Sequence, residues 1–334
     1  MYKKNILVTG GAGYIGSHIV TILLKRNFNV CIFDNFVNSS KSIIEKMENI
    51  TSQRIKVHEG DILNKKNIFN CFETNNFDHV IHLAGLKAVE ESHKKPLEYY
   101  SNNVLGTLNL LSVMEAFKVK SLIFSSSATI YGDPSELPLK EESAKNVPNS
   151  PYGKSKAFVE SILESLSQSN KSWNIVSLRY FNPIGSHDSG LLLENPRGLP
   201  NNLMPFICKV ANKKQDKLQI FGNDYETNDG TGERDYIHVS DLAIGHVKAL
   251  ELLKKNIGYE AINLGTGNAF SVLKIIQTFE KVHNIVIPYE VAKRRKGDVA
   301  KLYSDPTKAR RMLGWRTEKT LEDMCQDSWK KKSD

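Results

Sequence analysis

TGGAGYIG at residues 9–16 follows the β-branched run at 5–8, and Ile19, Ile22 and Leu23 then recur at helical spacing. The chain therefore opens as strand, glycine turn and helix. Gly10, Gly13 and Gly16 are spaced GxxGxxG. Glycine at such positions allows a tight turn and lets backbone N–H groups approach a pyrophosphate seated on the positive end of the helix. A glycine trio alone also serves ordinary tight turns; the surroundings make it a dinucleotide site. Asp34 closes the second strand-like run, 18 residues beyond Gly16. A carboxylate there accepts hydrogen bonds from the adenosine ribose hydroxyls and repels a 2′-phosphate, which predicts NAD over NADP. Asp61 closes a third run in GDI, within reach of the adenine amino group. Ala84 and Gly85 close a fourth, where small residues let a cofactor lie against the sheet edge.

Outward from that turn, short strand-like runs alternate with helical patterns. Strands are expected at 6–9, 29–33, 55–58, 79–83, 122–125 and 174–178. One helix starts near Pro96 and runs through Val104, Leu108 and Leu111; another starts near Pro151. The alternation predicts an α/β fold with a Rossmann-type doubly wound parallel sheet. After Tyr180 the pattern turns to loop chemistry in FNPIGSHDSG and NPRGLPNNLMP, and alternation resumes at 236–239 and 261–264. The expected division is an NAD-binding domain over residues 1–180 and a smaller mixed α/β substrate-binding C-terminal lobe over 181–334, partly interleaved with the first.

Composition narrows the class. The 334 residues are 40% hydrophobic and 25% charged, enough for a large core. No apolar run approaches the roughly 20 residues that span a bilayer, and no signal-like segment precedes the first strand, so a soluble cytoplasmic protein without a membrane partner is expected. The net charge of +8 is scattered, with clusters only at 293–296 and 330–332, which argues against nucleic acid and suits a small anionic substrate. The four cysteines form no CxxC pair, and the nine histidines show no HExxH spacing. No metal site is expected.

Tyr152 and Lys156 stand four apart in SPYGKSK, so a helix starting near Pro151 projects both from one face. A phenol ionises near pKa about 10, and a neighbouring ammonium favours its phenolate. Tyr152 thus reads as a base. The chain carries its own control, because Tyr289 and Lys293 share the spacing but lie in the strand-like VIPYEV, where side chains alternate. Ser125, Ser126 and Ser127 end the fifth strand and can bring a hydroxyl beside Tyr152.

Together TGGAGYIG, the Ser127 strand end and YGKSK resemble the extended short-chain dehydrogenase/reductase family. GLKAVEES at 85–92, FSSSATIYG at 124–132, LRYFNPIG at 178–185, PNNLMPF at 200–206 and GERDYIHV at 232–239 are similar to its nucleotide-sugar 4-epimerases. The resemblance reaches from the glycine turn to RRKGD at 294–298. It implies that UDP-galactose and UDP-glucose are interconverted at C4 through a 4-keto sugar, with tightly held NAD taking and returning the hydride. Tyr152 would take the 4-hydroxyl proton, Ser127 would bond that oxygen, and Lys156 would hold the nicotinamide ribose. Tyr14, Ile15, Asn35, Asn38, Ser39, Ile62, Leu83, Lys87, Asn102 and Phe181 match further cofactor contacts of the family. Asn182, Asn202, Leu203, Gln219, Phe221, Arg234, Tyr236, Val272, Arg295 and Asp298 match its UDP-sugar contacts. A homodimer through the helices after Pro96 and Pro151 is the family expectation.

Three rival readings follow. A 4,6-dehydratase would carry acids after Ser127, where this chain has Ala128 and Thr129. A decarboxylase or another nucleotide-sugar epimerase stays open, and so does a non-catalytic NAD-sensing protein on the same scaffold. Leu302 stands where bacterial members often carry a bulky tyrosine, which implies room for an N-acetyl group and UDP-GlcNAc or UDP-GalNAc as further substrates.

Overall fold

The computed structural model describes residues 3–143, 147–194, 202–295 and 298–330. The segment 195–201, Lys296 and the tail at 331–334, all noted above, lie outside the described residues. Six parallel strands come first: β1 Asn5–Thr9, β2 Asn29–Asp34, β3 Lys56–Glu59, β4 His79–His82, β5 Ser121–Ser127 and β6 Asn174–Tyr180. With β11 Tyr259–Leu264 they form one sheet of order β11-β6-β5-β4-β1-β2-β3. Its last strand thus comes from beyond residue 181 and pairs in register with β6 from Tyr259 opposite Ile175 to Leu264 opposite Tyr180.

Both faces of this sheet are covered, which is why its strands read as continuous apolar runs. Ile6 and Val8 of β1 point into one core with Ile19 and Leu23 of α1 Tyr14–Lys25. Leu7 between them points into the other, with Phe33, Leu110 and Trp173. Period-two alternation along a buried strand accounts for the split. Helices α2 Ser42–Thr51, α3 Lys65–Glu73, α4 Val89–Lys94, α5 Pro96–Tyr100, α6 Gly106–Ala116 and α7 Pro151–Ser169 supply the connections. The helix expected to run on from Pro96 is interrupted: residues 101–105 make a π-turn between α5 and α6. One extra residue per turn rotates Asn102 and Asn103 relative to an uninterrupted helix.

A smaller lobe has its own core, built on Ile184, Ile207, Leu218, Tyr236, Ile275 and Phe279. Its strands are β7 Asn182–Ile184, β8 Leu218–Phe221, β9 Glu233–Arg234, β10 Tyr236–His238, β12 Phe270–Ser271, β13 Tyr289–Ala292 and β14 Lys301–Leu302. Its helices are α8 Leu203–Ala211, α9 Val239–Leu252, α10 Val272–His283, α11 Thr307–Leu313 and α12 Leu321–Ser328. Of these, α9 and α11 pack into the core of the large sheet, through Leu242, Val247, Ala309 and Leu313. FNPIG, read from sequence as loop, contains β7, which pairs with β10. Pro183 hides that strand in the sequence, because it removes a ladder donor. Likewise α8 begins inside PNNLMPF, with Pro205 in its first turn, where a missing N–H costs nothing. Among the described residues no helix is long and apolar enough to cross a membrane.

Candidate active site

The strand order reverses between β1 and β4, and in sheets of this kind the ligand crevice lies at the carboxyl ends of the strands there. Gly10 stands at φ +70° on the β1 side, and a Cβ on it would lie 2.7 Å from the Ala84 nitrogen on the β4 side. A Cβ at Gly16 would press on the Gly10 carbonyl. Both glycines are therefore required by close approach. Gly13 caps α1 without a side-chain acceptor, and no acidic residue occupies the first turn. The helix presents uncapped N–H groups and its positive end to the crevice, which fits a diphosphate.

Asp34 is buried at the end of β2, and its carboxylate does more than await a ribose. One oxygen accepts from the Ala12 N–H at 3.0 Å, and the other from the Phe36 N–H at 2.9 Å and the Ser39 hydroxyl at 3.1 Å. It thereby fastens the glycine turn to the loop after β2. Asn35 donates to Asp61 at 3.0 Å, joining the ends of β2 and β3, and Ile62 is buried beside them. These contacts bring Asp34, Asn35, Ser39, Asp61 and Ile62 together as expected; Asn38 is exposed. Tyr14, at the start of α1, donates to the Gly185 carbonyl at 2.6 Å and ties the turn to the smaller lobe. Lys87 and Asn202, expected on cofactor and substrate respectively, both donate to the Glu194 carboxylate, at 3.0 and 2.8 Å. Sequence reading missed Glu194.

Asn103 was also missed. The π-turn aims it at the loop after β4, where its Oδ1 accepts from the Leu86 N–H at 2.8 Å. Its Nδ2 donates to the Leu86 carbonyl and to the Ser155 hydroxyl, each at 3.0 Å. Asn102 beside it is partly exposed. A π-turn has no sequence signature, so nothing in SNNV distinguishes the two asparagines.

Tyr152 and Lys156 lie on the first turns of α7, whose N-cap Ser150 accepts from the Gly153 N–H. Lys156 Nζ donates to the Ser125 carbonyl at 2.7 Å and stands 5.9 Å from the centre of the Tyr152 ring. Burial lowers its pKa to about 8. Burial also raises the Tyr152 phenol, while a hydrogen bond from Ser127 acts to lower it. Ser127 Oγ accepts from Thr129 as well, from its N–H at 3.2 Å and its hydroxyl at 3.0 Å. Its own proton remains free to point toward the tyrosine. The control pair behaves as expected, with Tyr289 on β13 rather than on a helix.

The Lys156 shift carries a stability prediction. Its folded pKa of about 8 lies below the unfolded value of about 10.4, so the unfolded state binds more protons between them. The cost of burying the charge is full below pH 8 and fades as pH rises toward 10.4. Lys156→Met is therefore expected to stabilise the cofactor-free protein by about 2 kcal/mol at pH 7, an advantage that shrinks by pH 10. Urea unfolding at the two pH values measures it; destabilisation at pH 7 would contradict this reading.

In the smaller lobe, Arg234 on β9 and Arg295 meet at one carboxylate. Asp298 lies 3.6 Å from the Arg234 guanidinium and 3.1 Å from that of Arg295. The Arg295 guanidinium also stacks 4.6 Å from the centre of the Phe221 ring. Tyr236 is buried beneath both arginines, its phenol pushed up to about 12 by burial. Leu203 and Val272 open α8 and α10 on this side, and Asn182 hydrogen-bonds the Asp235 carbonyl through its N–H. Gln219 is exposed on β8 and donates to Glu290 instead. Leu302 on β14 packs with Phe181 against Tyr131 and Leu139. A separate cavity of about 520 Å³, lined by Arg26, Lys248, Arg310 and Arg316 among others, lies at the C-terminal end of α1, opposite the glycine turn.

The chain is similar to known proteins over nearly its whole length. Residues 7–328 match the family described as GDP-mannose 4,6 dehydratase. A UDP-glucose 4-epimerase of Dictyostelium discoideum is 51% identical over 97% of this chain and 94% of its own length. The crystal structure of a UDP-glucose 4-epimerase from Bifidobacterium longum, in complex with NAD+ and UDP, superposes with a TM-score of 0.94 at 48% identity, covering 97% of both chains. A UDP-Glc/GlcNAc 4-epimerase from Campylobacter jejuni superposes with a TM-score of 0.85 at 37% identity, covering 97% of this chain and 98% of its own.

Proposed function

The chain belongs to the UDP-glucose 4-epimerase family, within the wider family described as GDP-mannose 4,6 dehydratase, and from that premise we propose that Tyr152, Ser127 and Lys156 carry its chemistry. The protein is an NAD-dependent isomerase that interconverts UDP-galactose and UDP-glucose. The supporting observation is the meeting of the Tyr152 phenol, the Ser127 hydroxyl and the Lys156 ammonium beside β5, next to the crevice. Tyr152 accepts the proton of the sugar 4-hydroxyl and later returns it, while Ser127 bonds the same oxygen. Bound NAD supplies the acceptor and donor of the C4 hydride.

Burial disfavours the phenolate, and the Ser127 hydrogen bond acts against that. Bound NAD, held by Lys156, would supply a further positive charge that favours the phenolate. Arg234 and Arg295 pair with the diphosphate through their guanidinium forks, with Asp298 holding both in place. Purified protein incubated with UDP-galactose is expected to form UDP-glucose without net NADH release. Bound NAD without turnover would instead favour the NAD-sensing reading. A dehydratase reading has no support in Ala128 and Thr129, neither of which is an acid.

Leu302 leaves space beside the sugar 2-position, so UDP-N-acetylglucosamine also reacts. Leu302→Tyr should lower kcat/KM for that substrate relative to UDP-galactose by about tenfold or more. An unchanged ratio of the two would sink the idea. We place the enzyme in the cytoplasm, a reducing compartment that suits its four free cysteines. It acts as a homodimer through α5, the π-turn after it, α6 and α7, where Leu97, Leu105, Leu108 and Phe158 are exposed, Leu97 at 80%. Sedimentation should return twice the chain mass, and a monomer at micromolar concentration would exclude this interface.

A further inference from the structure

A chain of buried polar contacts starts behind the catalytic helix and ends at the wall that carries Leu302. Glu160, one turn beyond Lys156 on α7, accepts from the Ser126 hydroxyl at 2.6 Å and from Arg179 Nε and Nη2, at 2.9 and 2.8 Å. Arg179 Nη1 donates onward to the Tyr131 phenol oxygen at 2.8 Å, and that phenol donates to Asn263 Oδ1 at 2.7 Å. Asn263 Nδ2 then donates to the Leu139 carbonyl at 2.9 Å. Leu139 lies beside the segment after β14: its N–H donates to the Tyr303 carbonyl at 2.9 Å, and its carbonyl accepts from the Asp305 N–H at 2.7 Å.

These directions leave little freedom. Arginine has only donors, so the Tyr131 oxygen must accept from it and spend its one proton on Asn263. That assigns the Asn263 amide, whose NH2 must then face Leu139. Tyr131 and Leu139 are each fully buried, and Leu302 packs on the same cluster. The other side of the segment is fastened by Asp235, which accepts from the Ser304 hydroxyl at 2.6 Å and the Ser304 N–H at 3.1 Å. Leu302, whose carbonyl accepts from the Asp235 N–H at 3.0 Å, therefore directly precedes a segment fastened by both the Asp235 carboxylate and the end of the polar chain.

We propose that Tyr131 and Asn263 are positioning residues for substrate choice: their hydrogen bonds set how far the Leu302 wall stands from the sugar, referenced to the catalytic helix through Arg179 and Glu160. This rests on the epimerase reading and on Leu302 facing the sugar. Tyr131→Phe keeps the ring against Leu302 and removes only the hydroxyl. Without it the Leu139 anchor loosens, and the wall yields most to the larger sugar.

The test is inhibition of UDP-galactose conversion by UDP-N-acetylglucosamine and, separately, by UDP, which carries no sugar. In Tyr131→Phe the constant for the N-acetylated sugar should fall about threefold or more relative to that for UDP. Asn263→Ala, one link further along, should shift the same ratio in the same direction. If the two constants stay together in both variants, or if both variants lose the folded state by circular dichroism, these groups serve the core alone and the proposal is overturned. Absence of UDP-galactose conversion in the unaltered enzyme would defeat the functional reading itself, a separate result.

Discussion

Tyr152→Phe is expected to lower turnover of UDP-galactose by about 10²- to 10⁴-fold, the usual contribution of a positioned acid or base. The substitution deletes one oxygen and keeps the ring. What it leaves behind is the reason for confidence in the readout: the uncapped start of α1, the Asp34 carboxylate and Lys156 Nζ on the Ser125 carbonyl are all untouched. NAD should therefore remain bound while conversion stops. Coupled assay of UDP-glucose measures the first quantity, and release of NAD on acid denaturation measures the second. Loss of the cofactor with activity would show that the phenol anchors NAD rather than acting as base. Because the phenol must lose its proton to act as base, activity of the native enzyme should rise with pH, and the residual activity of the variant should not.

The second large effect is on stability. Glu160 and Arg179 are each 1% exposed and joined by two hydrogen bonds. Removing one partner of such a pair strands a charge in the interior, at a typical cost of about 3–5 kcal/mol. Arg179→Leu should fall in that range by urea unfolding. Arg179→Lys should recover only part of it, because an ammonium cannot reproduce the fork that reaches both carboxylate oxygens and Tyr131. Replacing both partners, as Glu160→Leu with Arg179→Leu, should recover more than the lysine, since no charge is then left unpaired. A cost below about 1 kcal/mol for Arg179→Leu would mean that water reaches the pair, against its burial.

Much of the site was legible because its parts obey local rules. GxxGxxG after a strand, an acid at the end of the next strand and YxxxK opening a helix each follow from backbone geometry within a few residues. The strand-like setting of Tyr289 separated it from Tyr152 for the same reason. Asn103 was illegible because a π-turn, which leaves no mark in SNNV, decides which asparagine reaches Leu86. Glu194 was illegible because its partners Lys87 and Asn202 lie 107 and 8 residues from it in the chain, and no local rule pairs them. The helix α8 and strand β7 were hidden by prolines that their positions tolerate.

The periodic runs and the glycine spacing were enough to determine a parallel doubly wound sheet with a close-packed glycine turn at its switch point, since both depend on interactions between neighbours along the chain. The protonation balance of Tyr152, the reach of Lys156 and the polar chain from Glu160 to Leu139 were decided only by the tertiary structure. Each depends on how much water is excluded and on which distant groups meet, and neither quantity is written in any local stretch of sequence.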